Sequence, residues 1–131
     1  MTPRVLSLLF LLLLPSVSAH ACSCSEPLPP LEAMKDATAV FTGRVTAAVP
    51  NGANSYVYTL RVHAVWKGAT APETKVATSD VAMCGLWMEP GSEFLVYAWD
   101  AEGTLVTGNC SRSKPVALAA PDFAELGEPI A

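Results

Sequence analysis

The most regular pattern of apolar and polar positions in the chain lies between Ser55 and Lys67, where the two classes alternate. Alternation with a period of two predicts a β-strand that turns one face to the core and the other to solvent. The predicted core face consists of Tyr56, Tyr58, Leu60, Val62, Ala64 and Trp66, and the opposite face consists of Val57, Thr59, Arg61, His63, Val65 and Lys67.

A similar alternation runs from Val40 to Ala47 and predicts a second half-buried strand, which comes before the Ser55–Lys67 strand in the chain. Pro50-Asn51-Gly52 separates the two strands, and Asn-Gly is a strong hairpin signal because both residues tolerate a positive φ. Three further short strands are predicted over Lys75–Thr78, Phe94–Trp99 and Thr104–Cys110.

Two short helices are predicted, one on each side of this strand region. Pro30 suits the first position of a helix, because the amide hydrogen that proline lacks would have no intrahelical acceptor there, and Leu31–Ala37 continue that helix. Towards the other end, Pro121–Leu126 predict a single helical turn, in which Asp122 lies at the positive end of the helix dipole.

The beginning of the chain has the pattern of a secretory leader. Arg4 supplies a positive charge, Val5–Leu14 form an apolar run too short to span a bilayer, and Ala19-His20-Ala21 is the small-x-small pattern cut by signal peptidase. We expect a cleaved signal peptide over residues 1–21 and a domain over residues 22–131, and hence secretion to an extracellular or periplasmic compartment without a retained membrane segment.

Five short strands, little helix and no internal repeat predict an all-β fold with minor helix. A β-sandwich would usually need about seven strands, so a five-stranded Greek-key barrel of the OB type is the expected architecture. In such a barrel, the aromatic stripe of Tyr56, Tyr58 and Trp66 would lie in the interior.

The charge of residues 22–131 argues against several classes of partner. The whole chain has eight basic residues, and seven remain when Arg4 of the predicted leader is left out. Together with the twelve acidic residues they give a net charge of −5. Without a basic stripe, neither nucleic acid nor an anionic membrane is an expected partner, and we expect a monomer.

The sequence also offers no catalytic constellation. His63 is the one histidine outside the leader, and it lies on the polar strand face beside Arg61. Without a nucleophile–base pair, a phosphate-binding glycine loop or paired carboxylates, we predict that the protein is not an enzyme, has no catalytic residues and needs no cofactor.

All four cysteines, Cys22, Cys24, Cys84 and Cys110, follow the leader, which predicts disulfides in a short secreted chain. A Cys22–Cys24 bond fits disulfide geometry badly. One cysteine of the N-terminal pair should therefore bond Cys84 and the other Cys110, and two pairings stay open. Each bridge would close a loop of about 60 to 90 residues, which is worth roughly 4 to 5 kcal/mol in the chain-entropy model.

The closely spaced pair at Cys22 has other interpretations. The disulfides could serve stability alone. A zinc or copper thiolate site would need reduced sulfurs. Lipidation of Cys22 would leave Cys84 or Cys110 without a partner, and the preceding residues lack the usual apolar residue three positions before the cysteine. Met83 and Trp87, which flank Cys84, are candidates either for exposed contacts or for the core.

An ordered set of motifs over residues 22–126 resembles the N-terminal, netrin-like domain of the tissue inhibitors of metalloproteinases. The motifs are Cys22-Ser23-Cys24, Phe41-Thr42-Gly43-Arg44-Val45, Val65-Trp66-Lys67-Gly68, Met83-Cys84-Gly85, Glu93-Phe94-Leu95-Val96-Tyr97-Ala98 and Thr107-Gly108-Asn109-Cys110. The resemblance implies an OB-type barrel and the pairings Cys22–Cys84 and Cys24–Cys110. The further disulfide and the cysteine-rich second domain of the vertebrate members have no counterpart in these four cysteines.

The resemblance also implies a function, inhibition of a zinc metalloendopeptidase. The α-amino and carbonyl groups of processed Cys22 would chelate the protease's zinc, the only metal contact expected, and Ser23 would enter the adjoining specificity pocket. The other implied contact residues are Cys24, Ser25, Ala82, Met83 and Cys84. Glu26 places a carboxylate where the family favours proline. The alternative is a non-inhibitory netrin-like interaction module or a cell-envelope lipoprotein.

Overall fold

A computed structural model describes residues 22–68, 71–79 and 84–131. The predicted leader therefore lies outside the described residues. The helices are α1 (Pro30–Asp36) and α2 (Ala120–Leu126), with a 3-10 turn at Val116–Leu118, and the strands are β1 (Ala39–Pro50), β2 (Ser55–Lys67), β3 (Glu73–Ser79), β4 (Glu93–Ala101), β5 (Thr104–Val106) and β6 (Lys114–Pro115).

Five strands close into a barrel, and the sixth is an extra strand on its wall. The hydrogen-bonded order is β1-β2-β3-β5-β4, and β4 pairs with β1 to complete the circle. The β3–β5 contact is parallel and the remaining pairs are antiparallel. This is the strand order of an OB-type Greek-key barrel, so the predicted fold class is confirmed.

Two hydrophobic clusters lie on opposite sides of the barrel wall. The interior cluster consists of Ala39, Phe41, Val45, Tyr58, Leu60, Val65, Val76, Met88, Phe94, Val96 and Ala98. The outer cluster consists of Ala33, Ala37, Val40, Leu95, Tyr97, Ala119 and Leu126, and it fills the space between the wall and the two helices. Because the helices cover β1 from outside, its first half is buried on both faces, whereas the alternation predicts a half-buried strand.

The bounds of β2 agree with the prediction, but the predicted faces hold only over part of its length. Val62 pairs with Gly43 and Ala64 pairs with Thr42, so His63 is an extra residue without a partner on β1. Such a β-bulge shifts the alternation by one position. Beyond His63, therefore, Val65 joins the interior cluster and Trp66 packs against the outer cluster.

The prediction that Trp66 lies in the barrel interior with Tyr56 and Tyr58 is therefore wrong for Trp66. Tyr58 is fully buried in the interior cluster, and Tyr56 packs against that cluster while half-buried. Gly43 allows the close approach of the strands at the bulge, because a Cβ atom there would lie 2.8 Å from the carbonyl oxygen of Arg61.

The remaining predicted elements are confirmed except for one strand. The Asn51 amide donates to the Ser55 carbonyl across the predicted hairpin, where Gly52 has a φ of +80°. The predicted strand over Thr104–Cys110 ends at Val106, because the following residues fold into a turn in which Ser111 donates from its amide to the Gly108 carbonyl. The pattern did not predict β6.

Candidate functional site

The two disulfides attach the start of the described chain to the barrel. Cys22 is bonded to Cys84 with a Cα–Cα distance of 5.5 Å, and Cys24 is bonded to Cys110 with a Cα–Cα distance of 5.3 Å. All four cysteines are thereby paired. Of the two pairings that the spacing leaves open, the structure has the one that the family resemblance implies.

The two cysteines that receive these bonds belong to loops that also contact each other. The Asn109 amide donates a hydrogen bond to the Cys84 carbonyl at 3.1 Å. Gly108 favours this approach, because a Cβ atom at that position would make a tight contact of 3.3 Å with the same carbonyl oxygen. Cys84 itself has a φ of +66°, an uncommon value for a residue with a side chain. Cys22 and Cys24 are therefore fastened to a single support, which we call the anchor loops (Cys84 and residues 108–110).

Residues 22–29, which we call the N-terminal segment, lie on the protein surface. Cys22 is half-buried, and residues 23–29 are exposed. The predicted contact residues Ser23, Cys24 and Ser25 are thus accessible to a partner, and Cys84 beside them is exposed as well. Two other predicted contact residues, Ala82 and Met83, lie outside the described residues.

A third attachment of the N-terminal segment comes from Arg112. Its Nη1 donates to the carbonyl oxygen of Leu28 at 3.2 Å. The same guanidinium binds both carboxylate oxygens of Asp122, through Nε at 2.8 Å and Nη2 at 3.0 Å. Arg112, which lies 84 positions after Leu28 in the chain, therefore joins the segment to helix α2.

Asp122 is the centre of a buried polar cluster beneath this attachment. Its side chain has 0% exposure, and besides Arg112 it accepts hydrogen bonds from Lys114 Nζ at 2.5 Å and from the Tyr97 hydroxyl at 2.9 Å. A buried carboxylate is tolerated only when it is paired and hydrogen-bonded, and this one has both kinds of partner. The cluster holds α2 and β6 against β4.

The cluster also shifts the pKa values of Asp122, Tyr97 and Arg112. Burial by itself would raise the pKa of Asp122, but hydrogen bonds from Arg112, Lys114 and Tyr97 outweigh burial and lower that pKa below its ordinary value. Burial, followed by the hydrogen bond to the carboxylate, raises the pKa of Tyr97 well above normal. The hydrogen bond to Asp122 raises the pKa of Arg112 despite its partial burial. The ion pair is thus fully charged at neutral pH.

A cavity of about 280 Å³ lies behind the N-terminal segment. The segment contributes Ser25 to Leu28 to its wall, α1 contributes Ala33 and Asp36, and Trp99 and Arg112 complete much of the lining. The middle of the segment therefore forms one wall of a cavity that separates part of it from α1 and the barrel.

The aromatic residue closest in sequence to the exposed Cys84 is Trp87, which is 42% exposed. Its ring packs edge-on against Tyr56, with a centroid distance of 5.4 Å, and its Nε1 donates to Glu89 Oε2 at 2.7 Å. Trp87 is therefore held in one orientation at the surface instead of entering the core. Met83, the other residue predicted to be either an exposed contact or part of the core, lies outside the described residues.

The single histidine among the described residues, His63, lies in the surface bulge of β2. His63 Nδ1 is 3.5 Å from Glu93 Oε1, and that carboxylate is also bound by Arg44 at 2.8 Å. Across the part of the chain that the structure describes, no three His, Cys, Asp or Glu side chains are grouped so as to hold a metal ion. In the same part, none of the helices has the length and apolar composition to cross a membrane.

Sequence reasoning did not identify Arg112 or Lys114, and it placed Asp122 only at a helix terminus. One pattern could have indicated this ion pair, because the two basic residues of Arg112-Ser113-Lys114 come shortly before Asp122 in the predicted helical turn. Spacing alone does not show that the carboxylate is buried or that Leu28 lies within reach.

Comparison with models of known protein families finds no match for this chain, and a search among curated proteins finds none either. The fold is therefore assigned from strand order, and the candidate site from its geometry.

Proposed function

We propose that the protein, exported and cut after Ala21, inhibits a zinc metalloendopeptidase through the backbone of Cys22. The observation that supports this proposal is the exposed N-terminal segment, which two disulfides attach to the anchor loops. Cleavage would place a free α-amino group on a residue whose side chain is already bonded to the barrel. That amine and the carbonyl of Cys22 are the two atoms offered to the zinc.

The chemistry of protease zinc sites fits such a ligand pair. A catalytic zinc has three protein ligands and an open position for water, and it can expand to five-coordinate. A vicinal amine and carbonyl would displace that water. The amine must be unprotonated to donate its lone pair, as must any ligand that binds a metal through nitrogen.

Preorganisation is the second requirement for tight inhibition. A free peptide terminus loses conformational entropy when it is fixed in a cleft, whereas a terminus already constrained loses less. Cys22 and Cys24 are constrained by their bridges, and Pro27 and Pro29 limit the backbone that follows. The exposed side chain of Ser23 between them is the group proposed to enter the specificity pocket.

The remaining contacts in the proposal surround this tip. Ser25 is exposed directly after the second bridge, and Cys84 is exposed beneath the first. Ala82 and Met83 precede Cys84 in the chain and are proposed to contact the protease beside it. Glu26 adds an exposed carboxylate close to this surface, which favours a protease with basic residues at the rim of its cleft.

The proposal is tested with purified protein that begins at Cys22, titrated against a panel of zinc endopeptidases. Intact mass first establishes that the terminus is unblocked and that both disulfides are formed. The matched control carries one additional N-terminal alanine, which moves the amine away from Cys22 and leaves the barrel unchanged. We expect inhibition by the first protein and a loss of at least about tenfold in affinity for the control, since a zinc ligand would be lost.

Two results would contradict the proposal in different ways. Absence of inhibition across the panel by a protein with an unblocked Cys22 would exclude the function and leave the interaction-module alternative. Inhibition that the additional alanine does not relieve would exclude the zinc-chelating mechanism while keeping the function. An acyl group on Cys22 would instead favour the lipoprotein alternative.

A further inference from the structure

Beyond its disulfides, the N-terminal segment is held to the fold by few contacts. Residues 25–28 are exposed and form one wall of a cavity. The backbone hydrogen bonds among the described residues begin with Pro29, whose carbonyl accepts from Ala33 at 2.9 Å. Between Cys24 and Pro29, a specific contact to the fold is provided by Arg112 at the Leu28 carbonyl.

The guanidinium of Arg112 is itself held rigidly when it makes this contact. Two of its nitrogens bind the two oxygens of Asp122 at 2.8 and 3.0 Å, and the Arg112 side chain is only 18% exposed. A bidentate pair of this kind fixes the plane of the guanidinium as well as its position. The remaining nitrogen, Nη1, is therefore directed at Leu28 by the fold and not by a mobile side chain.

We infer that Arg112 is a positioning residue for the inhibitory surface. It fixes the path of residues 25–28 and thereby the direction in which Ser25 and Glu26 leave the disulfide-bonded tip. This inference rests on the proposed function for its consequence in inhibition, but the anchoring itself can be measured without any protease. Asp122, in this arrangement, acts on the segment only through Arg112.

Lys114 offers a matched control that separates positioning from stability. Its Nζ also binds Asp122 and its side chain is 24% exposed, but among the described residues it donates to the carboxylate and not to the segment. Arg112→Lys therefore replaces the two hydrogen bonds from the guanidinium to Asp122 with the weaker contact of one ammonium group, and Lys114→Gln removes the ion pair of Lys114 with Asp122. Only Arg112→Lys also removes the nitrogen that contacts Leu28, because lysine lacks the planar fork that directs Nη1 to the segment while Nε and Nη2 bind the carboxylate.

The experiment measures backbone ¹⁵N order parameters of Ser25, Glu26 and Leu28, the thermal midpoint, and the inhibition constant in all three proteins. We expect Arg112→Lys to lower these order parameters from about 0.8 to below about 0.6, and Lys114→Gln to leave them unchanged. Inhibition should weaken about three- to tenfold in Arg112→Lys, mainly through faster dissociation, because more ordering is needed on binding. Lys114→Gln should inhibit like the unmodified protein even if its midpoint falls.

Each contrary outcome has a distinct meaning. Unchanged order parameters in a folded Arg112→Lys protein would overturn the anchoring. Lower order parameters with inhibition equal to that of Lys114→Gln would overturn the role in inhibition. If the unmodified protein inhibits no protease, the proposed function fails, while the order parameters still decide whether Arg112 anchors the segment.

Discussion

Trp66 of β2 stacks on Phe123 of α2, with ring centroids 5.5 Å apart and planes inclined by 21°. The indole Nε1 also donates to the Gly127 carbonyl at 2.8 Å, just beyond the end of the helix. This pair fastens the last helix to the outside of the barrel. It exists because the bulge at His63 turns Trp66 outward, where the regular alternation of the strand would have turned it inward.

The first prediction concerns this pair. Phe123→Ala should lower the free energy of unfolding by about 1 to 3 kcal/mol, less than for a fully buried phenylalanine because the ring is half-buried. The measurement is urea denaturation, and the loss of the stacked ring should also shift the tryptophan emission to longer wavelength.

Leu118→Ala is a suitable control for the Phe123 variant. Leu118 lies close to α2 in sequence but is 68% exposed, so its truncation should change stability by less than about 0.5 kcal/mol. Equal losses in the two variants would show that the stacking with Trp66 contributes nothing beyond nonspecific surface burial.

The second prediction concerns the buried carboxylate of Asp122. In the folded protein its pKa lies below the value of about 3.9 expected for an unfolded chain. The folded state therefore binds the proton more weakly than the unfolded state. Its stabilising contribution is complete above about pH 5 and is lost as the pH falls below about 4 and through the folded-state pKa.

Asp122→Asn should consequently lower stability at pH 7 by about 2 to 4 kcal/mol, because Arg112 and Lys114 lose their shared anion. The variant should also lose less stability than the unmodified protein when both are acidified from pH 6 to pH 3. Asp36→Asn, at an exposed carboxylate of α1, is the control and should behave like the unmodified protein. Parallel losses in Asp122→Asn and the unmodified protein would contradict this account of acid sensitivity.

The third prediction concerns the proposed zinc ligand. An α-amino group has an unperturbed pKa of about 7.7 to 8.0, so its neutral fraction falls roughly thirtyfold or more between pH 8 and pH 6. Since only the neutral amine binds zinc, inhibition should weaken as the pH falls through this range. The measurement is the inhibition constant at each pH.

The protease itself also titrates over this range, and a reference inhibitor without an amine corrects for that. The ratio of the two inhibition constants should carry the dependence on the Cys22 amine. A ratio that stays flat, or that improves for this protein towards pH 6, would show that the amine is not the zinc ligand.

The features that were predictable are those that depend on residues close together in the chain. The ends of β2, the hairpin at Asn51 and Gly52, and the start of α1 at Pro30 were all predictable, because each follows from residues adjacent in the chain. The barrel class followed from the number of strands. The pairing of Cys22 with Cys84 was implied by a family resemblance, since spacing alone left two arrangements open.

The amino-acid sequence by itself determined the period of each element, its turns and the availability of four cysteines for two bridges. Tertiary structure alone decided that His63 bulges, that Trp66 faces outward and that Arg112 reaches Leu28. The physical reason is that a bulge depends on the register with a neighbouring strand, and a hydrogen bond across 84 positions depends on how the whole barrel closes. The local periodicity of the sequence specifies neither the register between strands nor the closure of the barrel.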